Sequence, residues 1–424
     1  MQPKKGLAKN KGDRPLHICI LSYRSNPFCG GQGVYVKNLS RALSQLGHKV
    51  EIVSGPPGLS LDGDIPVHRM STLDLYNPYD LFRTPSLKEL SDPVNLMEWL
   101  SVSTMGFPEP FIFGLRAYSF LKARRQCYDI VHDNQSLSYG IWAISKFMPT
   151  IATIHHPVTV DRDIAIRTTR NYYKKLKLLR WYSFVGMQKR VVRKLFRFIT
   201  VSKSARDDIC KEFKISKKRF TIVSNGIDMD LFRPLPQITR ENNRIITTNS
   251  SDTPLKGLAY LLQAVARITP FHPIRLIVVG SPKKDSGILG LIKNLNLGQI
   301  VRFTGPLSNA EFVKEYAKAT MAVIPSIYEG FGLPAGEAMA CGVPVISTAG
   351  GALPEVVGKA GILVPPGDSE ALFSAILDLL NHPKKAMILG QAGYHRVKAQ
   401  FTWRKAAQKT VTAYKEVLRD YGRL

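Results

Sequence analysis

Two carboxylates set in a glycine-rich turn are the groups in this chain best placed to do chemistry. They lie in Ile324-Pro-Ser-Ile-Tyr-Glu-Gly-Phe-Gly-Leu-Pro-Ala-Gly-Glu-Ala-Met-Ala-Cys-Gly-Val-Pro-Val-Ile-Ser347. The run reads as a strand end, a turn carrying Glu329, and a helix beginning near Pro334, where the missing N–H of proline costs nothing. Glu337 then falls one or two turns into that helix, close enough to share a ligand with Glu329. The Gly-Phe-Gly-Leu turn leaves backbone N–H groups without intrahelical acceptors at the helix N-terminus, a natural phosphate seat. Carboxylates beside an anion seat suit a ligand with hydroxyls at one end and phosphates in the middle. A nucleotide sugar has that shape.

Positioning such a site takes a parallel sheet, and the pattern along the chain supplies two. Leu16 to Ser22 is a short buried-strand candidate, followed by the loop Phe28-Cys-Gly-Gly-Gln-Gly33 and a helical run from Val34 to Gly47. Lys49 to Ser54, Asp129 to His132, Pro149 to His155 and Phe198 to Ser202 continue the strand–helix alternation, which favours a parallel sheet covered by helices. Residues 56–115 are richer in Pro, Met and aromatics and read as a less regular excursion on the substrate side. The segment Val223 to Pro234 reads as a hinge, after which the alternation restarts. Strands are expected at Arg244–Thr248, Ile274–Gly280, Ile300–Thr304, Ala322–Pro325, Val343–Ser347 and Gly361–Val364, with a helix at Gly257–Ile268. The expected organisation is a basic tail (1–15), two α/β domains (16–234 and 235–400) and a C-terminal amphipathic helix (401–424). That last helix need not pack on the domain before it.

With these residues in view, a family resemblance is visible. Glu329-x7-Glu337 inside EGFGLPAGEAMACGVPVI, followed by Gly350-Gly351-Ala-Leu-Pro-Glu355, resembles the retaining family 4 glycosyltransferases of GT-B fold. GGQGVYV near the start, VSNGIDMDLF at the hinge and VPPGD near Val364 extend it over most of the chain, with residues 56–125 least matched. The resemblance implies two Rossmann-like domains facing across a donor-binding cleft, the donor held mainly by the second. This agrees with ligands lying beyond the carboxyl ends of parallel strands. It gives Glu329 to the hydroxyls of the transferred sugar and Glu337 to the ribose hydroxyls. Backbone N–H groups around Phe331, Gly332 and Leu333 would hold the diphosphate, and Lys256 would meet its phosphates. Gly30, Gly31 and Gly33 would let the first-domain backbone approach from across the cleft. His155 resembles the first-domain His that reaches the donor sugar, so the catalytic set would be Glu329, His155 and Lys256.

The implied mechanism is a front-face attack with retained configuration, a phosphate oxygen accepting the proton of the acceptor hydroxyl. Lys256 and a helix N-terminus would stabilise the departing diphosphate without a metal. Glu329 is not expected to act as a double-displacement nucleophile of the glycosidase kind. No cofactor is expected; the co-substrate is a nucleotide sugar, a UDP-sugar favoured over a GDP-sugar. One departure stands out: the family usually has Arg six residues before the Lys, and here that position is Ser250. Lys283 or Lys284 is the candidate compensating cation.

Each residue has a plainer reading when taken alone. An isolated Glu is usually a surface carboxylate, and only the surrounding glycines favour binding roles for Glu329 and Glu337. His155 or His156 could merely cap a strand end. The GGQG loop is not the dinucleotide GxGxxG pattern. Asp161-x-Asp163 and Asp228-x-Asp230 have the spacing of a metal-binding DxD, but the second lies inside the hinge motif, so no metal is expected.

Composition bounds the partners. With 424 residues, 44% of them hydrophobic, the chain can bury two cores, and it lacks the unbroken apolar run of about 18 residues that a transmembrane span needs. No apolar signal-type segment follows the basic N-terminus. Five scattered cysteines (Cys19, Cys29, Cys127, Cys210, Cys341) point to a reducing cytoplasm rather than a disulfide framework, leaving the sequons at Asn38, Asn134 and Asn249 idle. The formal charge of +27 calls for an anionic partner. Residues 162–220 hold 19 Lys/Arg against 4 Asp/Glu, more than half of that excess.

Within that segment Tyr172 to Phe184 interleaves aromatics with cations, and helical spacing puts Tyr172, Leu176, Leu179 and Tyr182 on one side. Lys174, Lys175, Lys177, Arg180, Trp181, Arg190, Arg193 and Lys194 form a candidate patch for an anionic membrane surface or the acceptor. The alternative is that the apolar side packs on the first domain and the cations are solvated. Nucleic acid is set aside because no nucleic-acid-binding module accompanies the charge. The expected function is therefore sugar transfer to a lipid or lipid-linked hydroxyl by a cytoplasmic protein, peripheral on the inner face of the membrane. The alternatives are a soluble saccharide or metabolite acceptor, or a GT-B-like nucleotide-sugar binder or epimerase without transferase activity.

Overall fold

The computed structural model describes residues 14–25, 31–57, 64–76, 80, 83–169, 171–249, 253–283 and 287–423. Gly30, Cys29, Ser250 and Lys284 lie outside these residues. Short apolar runs in the first half form β1 (His17–Ser22), β2 (Lys49–Ser54), β3 (Val67–Arg69), β4 (Ile130–Asn134), β5 (Thr150–Ile154), β6 (Phe198–Thr200) and β7 (Phe220–Ile222). They pair in the order β3-β2-β1-β4-β5-β6-β7, every ladder parallel. Every residue of β4 and β5 is buried, as expected of strands covered by helices on both faces.

The second half repeats the design with β8 (Arg244–Thr248), β9 (Arg275–Val279), β10 (Val301–Phe303), β11 (Met321–Ile324), β12 (Val345–Thr348) and β13 (Ile362–Val364). Their order is β10-β9-β8-β11-β12-β13, again all parallel. Strand order reverses once in each sheet, between β1 and β4 and between β8 and β11. Loops leaving the carboxyl ends at such a reversal diverge and open a ligand crevice. The segments after β1, β4, β5, β8 and β11 carry the candidate donor-site residues.

Two parts of the chain differ from the sequence expectation or extend it. The stretch expected to be irregular contains helices Leu87–Leu90, Pro93–Ser103 and Glu109–Lys122. Ser86 and Asp92 cap the first two, accepting from the amides of Glu89 and Val94. Helix Pro93–Ser103 buries only Glu98: its apolar residues Leu96, Met97 and Leu100 are exposed rather than turned to a core. At the other end, helix Trp403–Asp420 returns to the first sheet. Trp403, Ala406, Ala407, Tyr414 and Leu418 enter one core with Ile18, Ile20 and Ile52. The return is pinned where the amide of Ile227 donates to the Phe401 carbonyl at 2.8 Å. Among the described residues no helix is long and apolar enough to cross a membrane.

Candidate active site

The turn after β11 is shaped by what glycine permits. Gly332 has φ +98°, a left-handed conformation, and a Cβ there would sit 2.6 Å from the Leu353 side chain. The chain then enters helix Leu333–Ala340 with Pro at its start. Phe331 is buried, its ring edge-on to Phe401 at 5.7 Å. Glu337 is half-buried one turn on. Burial pushes its carboxyl up to about 7, with the Lys256 charge acting the other way.

Lys256 closes the turn Pro254–Lys256 that follows β8. Its Nζ donates to Glu329 Oε1 at 2.7 Å, and Ser326 Oγ donates to the same oxygen at 2.9 Å. The Ile327 amide donates to the Leu255 carbonyl at 2.8 Å, joining the two loops at the strand-order reversal. Lys256 and Glu329 are thus in contact, and the Lys256 charge reaches Glu337.

His155 comes from the other sheet, just past β5. Its amide donates to Gln135 Oε1 at 2.6 Å, and its Nε2 lies 2.8 Å from Asn134 Oδ1, so the imidazole donates from Nε2. The ring meets Tyr35 edge-on at 4.7 Å. Burial pushes the His155 imidazole down to about 3, with the neighbouring His156 acting in the same direction. Gly31 and Gly33 open helix Gly31–Gln45, and Asn134 Nδ2 donates to the Gln32 carbonyl at 3.4 Å, so that helix start lies beside His155's partner.

The neighbouring His156 lies 2.6 Å from Asp161 Oδ2 through Nε2. Burial lowers its proton affinity, but the hydrogen bond and charge of Asp161, with Glu329, raise it overall; Lys256 opposes them. Asn134, Gln135 and the Asp161 partnership were not legible as site features in the sequence. Asn134-Gln-Ser stood out only as a sequon, and the positive φ of Gln135 (59°) leaves no mark in residue order. The doubled histidine was the one visible signal. Asp161 is occupied by His156 and Asp163 by Arg162, while Asp228 accepts from the amides of Asp230 and Leu231.

The basic patch is one element removed. Helix Tyr172–Trp181 packs on helix Val158–Thr168, which contacts the Lys256 turn. No described residue of helix Tyr172–Trp181 is buried, and Tyr172, Leu176 and Leu179 are 76%, 46% and 52% exposed, so the apolar side does not pack on the first sheet. Lys174 and Lys177 are exposed and Lys175 half-buried. Trp181 turns inward and stacks on Phe107 at 4.9 Å, and Arg180 donates to Thr104 and Ser183. Arg190, Arg193 and Lys194 sit on the following helix, engaged with the Tyr139 hydroxyl, the Phe213 carbonyl and the Trp142 ring.

Residues 236–396 match the family model described as "Glycosyl transferases group 1", and residues 29–231 match "Glycosyltransferase Family 4". Over 408 residues the chain is 42% identical to the MMP alpha-(1->4)-mannosyltransferase of Mycolicibacterium hassiacum, covering 95% of this chain and 98% of the relative. The chain belongs to glycosyltransferase family 4. This glycosyltransferase is also 26% identical over 442 residues to D-inositol 3-phosphate glycosyltransferase 2 of Catenulispora acidiphila, 96% of each chain being covered. Sucrose-phosphate synthase from Thermosynechococcus elongatus superposes with TM-score 0.71 at 24% identity, over 95% of this chain and all of that one. Anabaena HepE in complex with UDP and glucose superposes with TM-score 0.67 at 17% identity, over 95% and 100%. The fold of the glycosyltransferase is GT-B.

Proposed function

We propose that this glycosyltransferase moves a mannosyl group, with retention and without a metal, from a nucleotide-diphosphate donor to a carbohydrate hydroxyl. The observation that carries the reading is the Lys256–Glu329 pair at 2.7 Å, set beside the N-terminus of helix Leu333–Ala340. The name of the relative at 42% identity supports mannose as the sugar and an α-(1→4) bond as the product. For the base, UDP-sugars are tested first, since the Anabaena neighbour was solved in complex with UDP, and GDP-sugars are tested in parallel.

Glu329 Oε1 already accepts from Lys256 and Ser326, which leaves Oε2 to accept hydroxyls of the sugar. Glu337 takes the ribose diol, and the amides of Phe331, Gly332 and Leu333 meet the diphosphate. As the anomeric C–O bond to phosphate breaks, negative charge grows on that diphosphate, where Lys256 and the helix N-terminus stabilise it. The acceptor oxygen bonds to the anomeric carbon on the same face, and its proton passes to a phosphate oxygen. His155, oriented by Asn134 and Gln135, lines the first-sheet side of the cleft and offers its imidazole to the sugar.

A second reading concerns where the acceptor is met. The exposed apolar residues of helix Tyr172–Trp181, interleaved with Lys174, Lys175 and Lys177, favour an acceptor presented at an anionic bilayer on the cytoplasmic side. The test of the first reading is a thermal-shift screen of nucleotide sugars followed by transfer assays with and without EDTA. A donor that raises the melting midpoint and yields an EDTA-insensitive product supports it. Donor epimerisation or binding without transfer would sink it.

A further inference from the structure

The loop that carries Glu329 is held from the opposite sheet as well as from its own. Helix Lys203–Phe213 begins directly after β6, in the first half of the chain. Its two leading amides, Lys203 and Ser204, donate to the two carboxylate oxygens of Glu355 at 2.9 and 2.7 Å. Glu355 belongs to helix Leu353–Val357 in the second half. The capping residue Ser202 donates from Oγ to the Gly330 carbonyl at 2.9 Å, while accepting from the amide of Ala205. Tyr328 closes the set, its hydroxyl donating to Asp208 Oδ2 on the same first-half helix at 2.8 Å.

These contacts converge on residues 328–330. The Ala352 amide donates to the Glu329 carbonyl at 2.9 Å. Gly351, with φ +61°, approaches so closely that a Cβ there would lie 2.2 Å from that carbonyl oxygen. Helix Leu353–Val357 therefore moves with the Glu329 loop. A carboxylate spanning two first-turn amides adds charge-assisted hydrogen bonds to a favourable helix dipole, so this is the strongest of the cross-cleft contacts.

We propose that Glu355 is a positioning residue for sugar transfer: by gripping the N-terminus of helix Lys203–Phe213 it fixes the 328–330 loop, and through it the Glu329 carboxylate. Ser202 and Asp208 hold the same loop directly, through the Gly330 carbonyl and the Tyr328 hydroxyl. Docking of the two halves and ordering of the donor loop are then one event. The inference rests on the reading of Glu329 and its loop as the donor site.

The test compares Glu355→Ala, Glu355→Gln and Tyr328→Phe with wild type, reading kcat and donor KM for transfer together with hydrogen exchange of the 203–206 and 326–333 segments. Glu355→Ala is expected to lower kcat/KM about tenfold or more. Exchange should rise in both segments, with a loss in melting temperature of only a few degrees. Glu355→Gln, which keeps an acceptor oxygen and the side-chain shape, should recover part of the loss. Combining Glu355→Ala with Tyr328→Phe should cost less than the product of the single effects, because both changes release one loop. A kcat/KM for Glu355→Ala within twofold of wild type overturns the proposal, as does a loss without faster exchange of 326–333. If Glu329→Ala retains transfer while Glu355→Ala loosens both segments, the donor-site reading falls instead.

Discussion

At the scale of single residues, the Lys256–Glu329 pair is where sugar hydroxyls and leaving-group charge are expected to meet. Glu329→Ala and Lys256→Ala should each lower transfer by about 100-fold or more, the usual consequence of removing one preorganised charge-stabilising group. Steady-state rates on folded variants, checked by circular dichroism, measure this. Glu337 carries a different signature. Its carboxyl holds a proton up to about pH 7 in the folded chain, against an ordinary value of 4.5. Through that window the native state binds more protons than the unfolded one, so Glu337's contribution to stability is lost as pH rises from about 4.5 to 7. Glu337→Gln removes the titration, and its stability relative to wild type should grow between pH 5 and pH 8 in denaturant midpoints. The two glutamates were singled out by the glycines and fixed spacing around them, and Lys256 by the family resemblance; the structure sets Lys256 against Glu329. Asn134 and Gln135 were not, since they meet His155 and His156 from a loop about twenty residues earlier, and Asp161 stood out only in a DxD spacing and not as the partner of His156.

At the scale of elements, the C-terminal helix couples stability to the site. Trp403 is nearly buried and lies edge-on to Tyr35 at 6.0 Å, and Tyr35 in turn meets His155. Trp403→Ala should destabilise the first half by about 3 kcal/mol or more in chemical denaturation. It should also lower transfer beyond the loss of folded protein, because the support behind His155 is removed. The amphipathic pattern announced that helix, but its partner surface is a tertiary fact. The strands at the strand-order reversals were read nearly to the residue, since buried parallel strands are apolar runs bounded by turn residues. Helix Pro93–Ser103 escaped for another reason: Val94, Leu96, Met97, Trp99, Leu100 and Val102 spread apolar residues round the helix, so no single face marks it. The short edge strands β3 and β7 contain no fully buried residue and left no apolar run to read.

For the whole molecule, more than half of the +27 charge lies in residues 162–220, whose helix Tyr172–Trp181 is exposed while helix Lys203–Phe213 meets the Glu329 loop. Replacing Lys174, Lys175 and Lys177 with Glu should reduce co-sedimentation with anionic vesicles and flatten its salt dependence, with donor hydrolysis unchanged. Loss of donor hydrolysis in that variant would instead tie the helix to the donor site. Each parallel sheet brings candidate residues to the carboxyl ends of its strands, and the Glu329 loop meets the first half at Ser202. The chemistry of the site is tested most directly by the product. Incubating the protein with α-linked UDP-mannose or GDP-mannose and a saccharide acceptor, then reading the new linkage by NMR, should give an α-mannoside that Glu329→Ala and Lys256→Ala fail to form. A β-mannoside, or undiminished product from those two variants, would contradict a retaining transfer centred on the Lys256–Glu329 pair.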